Sequence, residues 1–135
     1  MSDTSYKTLK LDFVAEGLFE DRKSRFIAQL CHVETETEAQ EFLTTVRAKH
    51  YNARHNVPAW ILEDGTERAS DDGEPSRTAG MPVLEVLRGA GLKNVCCVVT
   101  RYFGGTLLGP GGLVRAYTAA TQEALSAADE ASAVQ

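Results

Sequence analysis

Residues 95–116 read VCCVVTRYFGGTLLGPGGLVRA, an apolar run followed by Arg-Tyr-Phe, a glycine-dense loop and the start of an amphipathic pattern. Val95, Cys96, Cys97, Val98 and Val99 form a continuous, β-branched-rich segment bounded by Asn94 and Gly104, the mark of a strand covered on both faces. The nine positions from Gly104 to Gly112 hold five glycines and one proline, so the backbone there can adopt left-handed angles and approach a neighbour closely. From Leu113 the apolar residues at 113, 114, 117, 120, 124 and 125 recur at helical spacing. The loop therefore feeds a helix whose first N–H groups have no intrahelical partner, an anion-site geometry. Arg101 on one side and Arg115 on the other direct that geometry toward a phosphate or carboxylate.

Two common nucleotide motifs are excluded. A phosphate-binding loop of the Walker type needs Lys and then Ser or Thr after its closing glycine, whereas Gly109 is followed by Pro110 and Gly111. No Gly-x-Gly-x-x-Gly with a downstream acid links the strand to the helix, so a dinucleotide fingerprint is absent.

At 135 residues and 14.7 kDa the chain is expected to form one domain over residues 1–125, with an Ala-rich, poorly anchored tail over 126–135. No apolar run approaches the ~20 residues of a membrane span, and Met1 to Leu11 is polar, which predicts a cytoplasmic protein. Adjacent Cys96 and Cys97 point to opposite faces of one strand, so the three cysteines are expected as buried thiols rather than a disulfide or metal site. A net charge of −5 argues against broad nucleic-acid or anionic-membrane binding. Arg22, Lys23, Arg25, Arg47, Lys49, Arg54, Arg77, Arg101 and Arg115 nevertheless fall mostly near the ends of predicted elements, where a local basic patch can form.

Leu9, Leu11 and Phe13 alternate with polar residues and predict a strand; a second is expected over residues 25–33. Thr35 and Glu38 form a capping box before Ala39, Phe42, Leu43 and Val46, predicting a helix to about His50. Asp64-Gly65 marks a hairpin between residues 57–63 and 66–71, and a short helix is expected from Pro82 to Gly89–Gly91. Antiparallel strands mixed with helices in this order indicate a two-layer α+β domain.

The polar clusters point to binding more than to catalysis. His50, His55, Asp71, Asp72 and Glu74 are the candidate metal ligands, but His50 and His55 are five apart and do not share a helical face as zinc hydrolases require. The acids could hold a divalent cation against a phosphate, or cap turns. No elbow motif surrounds Cys31 or Ser76 to make either a nucleophile with His55.

Lys23-Ser24-Arg25-Phe26, residues 50–56, Asp71-Asp72-Gly73-Glu74-Pro75-Ser76 with Thr78-Ala79-Gly80, and Arg101 to Tyr117 occur in an order that resembles the IMPACT/YigZ family over roughly residues 18–125. The resemblance implies a ribosomal protein S5 domain 2-like α+β fold, a two-layer sandwich. It also implies a role tied to translation: eukaryotic relatives act in translational control by competing for a kinase-activating scaffold, and bacterial relatives are connected with nucleic acid or the translation machinery. Arg77 departs from a pattern that usually reads Gly at that position. Bacterial relatives commonly add a small ferredoxin-like domain, whereas this sequence ends ten residues after Leu125.

The expected function is that of a non-enzymatic, translation-linked regulatory protein binding RNA or a ribosome-associated partner, with no catalytic residue, metal or cofactor. Its expected ligand-binding residues are Arg101, Tyr102, Phe103, Gly104, Gly105, Gly109, Gly111, Gly112 and Arg115, with His55, Asn56, Asp71, Asp72 and Glu74. Arg and helix-start amides suit phosphates, and exposed aromatics stack unpaired bases. The alternative is action on a phosphorylated or nucleotide-like small molecule, and a third reading docks the acidic run Glu34, Glu36, Glu38 and Glu41 onto a basic partner.

Overall fold

The structure, a computed structural model, describes residues 6–131. In chain order its elements are β1 (Val14–Asp21), β2 (Ser24–His32), α1 (Glu36–Lys49), β3 (His55–Ile61), β4 (Glu67–Ala69), α2 (Gly80–Gly89), β5 (Val95–Tyr102) and α3 (Gly109–Ala131). The strands make one antiparallel sheet in the order β1-β2-β5-β3-β4. The apolar run of 95–99 is thus its central strand, and β5 is covered on both faces. Val95, Cys97 and Val99 pack with Val83 and Leu87 of α2 and with Leu113, Ala116, Tyr117 and Ala120 of α3. Cys96 and Val98 face the other way, with Trp60 and with Ala39, Leu43 and Val46 of α1. The fold is α+β. Sheet, α2 and α3 make its two main layers, and α1 adds a partial third over β3 and β5.

All three cysteines are free and buried, and burial pushes the Cys31 and Cys97 thiols up to about 12. The capping box forms with an offset: Thr35 Oγ1 accepts from the Glu38 N–H at 3.1 Å, while the Glu38 carboxylate reaches back to the Glu34 N–H at 2.9 Å.

Three expectations shift. The predicted first strand at Leu9–Phe13 is a turn region, with Leu11 60% exposed, and β1 follows it at Val14–Asp21. In β1 the small residues Ala15 and Gly17 face inward because α3 crosses directly above them. A Cβ on Gly17 would lie 2.3 Å from the Ala124 nitrogen. The usual size pattern is inverted, and Val14 and Leu18 are left exposed. The Asp64-Gly65 hairpin exists, but its loop is closed by Leu62 and Thr66 with Gly65 at φ +95, and β4 is only three residues long. Finally, α3 begins at Gly109 and runs to Ala131 with Ala128 buried, so residues 126–131 are helical where a loose tail is expected. Residues 132–135 of that tail, and 1–5 of the polar amino-terminal stretch, lie outside the described residues.

Candidate nucleic-acid interface

At the Tyr102 end of the sheet an exposed loop rests on a buried polar cluster. Arg101 is 5% exposed, and its Nη1 donates to both Glu74 oxygens at 2.9 and 2.8 Å. Tyr117 on α3 donates to Glu74 Oε2 at 2.5 Å. Burial and the neighbouring carboxylate push that phenol far above its ordinary range, so it remains a proton donor. His55 Nδ1 donates to the Asp72 carbonyl at 2.7 Å, which turns Nε2 toward Glu74 Oε1 at 3.5 Å. The Arg101 guanidinium lies 5.5 Å from the ring centres of both Phe26 and Phe103, and its Nε is buried without a partner among the described residues. One carboxylate therefore ties β5, β3, α3 and the segment after β4 together. Buried charge of this kind persists only when paired.

The acidic segment is consumed in building this frame. Asp71 accepts from the N–H groups of Arg77 at 2.9 Å, Ala79 at 3.2 Å and Gly80 at 2.9 Å, capping α2 from outside the helix. Asp72 accepts the Asn56 N–H at 2.7 Å and pairs with Arg47 at 3.1 Å. Asn56 Oδ1 in turn accepts from Thr100 at 2.7 Å. Asp71, Asp72, Glu74 and Asn56 are thus internal struts rather than open ligands. Among the described residues no group of three His, Cys, Asp or Glu side chains is placed to hold a metal ion. Arg77 has φ +66, the left-handed region that glycine adopts most readily, which fits the glycine that the family resemblance implies there.

Above the frame the loop is open. Gly104 donates to Ser24 Oγ at 3.1 Å and passes so close to the β1–β2 turn that a Cβ would lie 2.2 Å from the Lys23 carbonyl carbon. The N–H groups of Gly105, Thr106 and Leu107 make no hydrogen bond among the described residues, and Leu107 is 79% exposed. Cations surround them. Arg22 and Lys23, both at positive φ in the β1–β2 turn, lie beside the loop, and Arg22 donates to the Leu107 carbonyl at 3.5 Å. Arg25 stacks on Tyr102 at 5.4 Å and Arg54 on Phe103 at 4.6 Å. Arg115 lies across the first turn of α3, beside Gly111 and Gly112. None of these five forms an ion pair among the described residues. Tyr102 is held by His50 Nδ1 at 2.6 Å, and burial, then the Lys49 cation, lower the pKa of that imidazole.

The structure brings Tyr102, Phe103, Gly104, Gly105 and Arg115 together on the surface, with Gly109, Gly111 and Gly112 at the α3 start, and places Arg101, His55 and Glu74 directly beneath. Arg101 is therefore corrected from surface contact to buried anchor, because Glu74 neutralises it. Arg22, Lys23, Arg25 and Arg54 belong to the basic residues that the sequence offers for a local patch, and the fold gathers these four around the loop; nothing local marks Ser24 and Tyr117 as partners of the cluster.

The Impact N-terminal domain family matches residues 22–125. The chain is 51% identical over 124 residues to IMPACT family member YvyE of Bacillus subtilis, covering 90% of this chain and 56% of that protein. It is 46% identical over 110 residues to IMPACT family member YigZ of Escherichia coli, covering 78% and 54%. A solved structure described as a hypothetical protein superposes with TM-score 0.85 at 38% identity over 97% of this chain and 64% of its own. The two-domain translational regulator Yih1 superposes with TM-score 0.55 at 29% identity over 94% and 51%. The chain spans a little over half the length of these curated relatives. No described helix is long and apolar enough to cross a membrane. With the family matching residues 22–125 and relatives 46–51% identical, the chain belongs to the IMPACT family.

Proposed function

We propose that this protein is a non-enzymatic, translation-linked regulator that binds RNA through the Tyr102–Leu107 loop and the start of α3. The carrying observation is the set of five cations that form no ion pair among the described residues, Arg22, Lys23, Arg25, Arg54 and Arg115, around a loop whose amides at 105–107 have no hydrogen-bond partner among those residues, on a chain of net charge −5. Concentrating positive charge at one end of an acidic protein is costly through self-repulsion, and an anionic ligand offsets that cost. A relative described as a translational regulator supports the link to translation. The enzymatic alternative loses its support because Asp71, Asp72 and Glu74 already serve the frame.

The test is fluorescence anisotropy with a labelled single-stranded RNA at about 50 and about 200 mM salt. Binding at low salt, weakened at the higher salt and further weakened by Arg115→Glu or Lys23→Glu, is the expected result. Absence of binding at low salt rejects RNA as the ligand and leaves a ribosome-associated protein as the partner to seek by co-sedimentation.

A further inference from the structure

Between the end of α1 and the end of β5 lies a depression of about 490 Å³ lined by Asn52, Ala53, Arg54, Tyr102 and Phe103. It adjoins the exposed loop, shares Tyr102 and Phe103 with it, and adds Asn52, Ala53 and Arg54 from the segment after α1. We propose that this depression holds one unpaired adenine of a single-stranded RNA, read by the Asn52 carboxamide. This rests on the RNA reading above and names the base chemistry of that site.

Three features of the depression fit a base. Its volume lies in the range of small-ligand sites. Its two aromatic walls are fixed before any ligand arrives: Tyr102 by His50 at 2.6 Å and Arg25 at 5.4 Å, Phe103 by Arg54 at 4.6 Å and Arg101 at 5.5 Å. Preset rings stack a base without first losing rotamer freedom. Its polar content also suits one base. Asn52 is exposed, its Oδ1 only grazed by the Tyr102 hydroxyl at 3.5 Å, and its Nδ2 makes no hydrogen bond among the described residues. A free carboxamide offers one donor and one acceptor side by side, the complement of adenine N7 and N6, whereas guanine presents two acceptors on that edge. Arg54 makes no ion pair among the described residues, so its charge is available to the attached phosphate while its plane stays on Phe103. Tyr51, 84% exposed next to Asn52, provides a further surface for a neighbouring base.

The experiment compares labelled eight-nucleotide oligo(A) and oligo(U) RNA on the full chain, with Asn52→Ala and Arg54→Ala variants and with unlabelled AMP as competitor. The expected result is about a tenfold preference for oligo(A) that Asn52→Ala abolishes without weakening oligo(U) binding. Arg54→Ala weakens both RNAs, and AMP fails to displace oligo(A) at concentrations where unlabelled oligo(A) does. Equal binding of the two RNAs by the natural protein overturns the adenine site while the RNA reading stands. A preference that survives Asn52→Ala overturns the role of that residue, and displacement by AMP as effective as by oligo(A) overturns RNA as the source of the base. Binding of neither RNA removes this proposal together with the reading beneath it.

Discussion

At the Val95 end of β5, Asn94 takes φ +57 and commits its whole side chain: Oδ1 accepts the Glu63 N–H at 2.7 Å and Nδ2 donates to the Tyr6 hydroxyl at 2.9 Å. Its carbonyl accepts from Val33 at 3.0 Å and from Thr8 Oγ1 at 3.4 Å. At the Tyr102 end the polar groups divide into two levels. The lower one, around Glu74, is almost as complete as the Asn94 corner, while the upper one keeps amides without a hydrogen-bond partner and cations without an ion pair among the described residues. Both ends solve the problem of buried polar atoms, but only one carries the solution up to the surface and stops. An open edge on a rigid base is how a binding surface differs from a loose loop.

Four changes test that contrast. Glu74→Ala leaves the Arg101 charge buried and unpaired and should lower unfolding free energy by about 3–5 kcal/mol in urea titration. A loss below about 1 kcal/mol would mean the lower level is no anchor. Asn94→Ala removes two side-chain bonds at a left-handed residue and should cost about 2–3 kcal/mol by the same measurement. RNA affinity of the folded fraction should remain unchanged under the proposal that places binding at the open end. Arg77→Gly should raise stability by about 1 kcal/mol by relieving its φ of +66 while keeping the N–H donated to Asp71. The smallest effect belongs to His50. Folding holds its pKa below the free value of 6.5, so the unfolded chain binds more protons there. Stability present above that pH is lost as pH falls through it, and His50→Gln should flatten this part of the pH profile of thermal unfolding.

The central strand, the β2 segment, the capped α1 and the loop before α3 are all legible from residue pattern, because each rests on short-range chemistry: β-branching, a Thr-Glu cap, glycine density. β1 is not, since its inward residues are Ala15 and Gly17 and only the passage of α3 over them makes smallness the correct choice. The site divides in the same way. The loop and Arg115 can be read from sequence, but the burial of Arg101 depends on Glu74, His55 and Tyr117 arriving from three distant segments. Asn52 and Arg54 stand in a polar segment that the sequence marks as able to hold a ligand, but only the fold places Tyr102 and Phe103 beside them.

The sheet order β1-β2-β5-β3-β4 also governs how the molecule can be assembled. The early segments supply two separate hairpins, each lacking the neighbour that lies between them until residue 102 exists. An isolated hairpin is marginal in water, so the nascent chain exposes the edges of both hairpins until β5 has been made and then joins the two halves around it. Contacts of such long sequence separation predict slow, cooperative folding, with β5 as the closing piece.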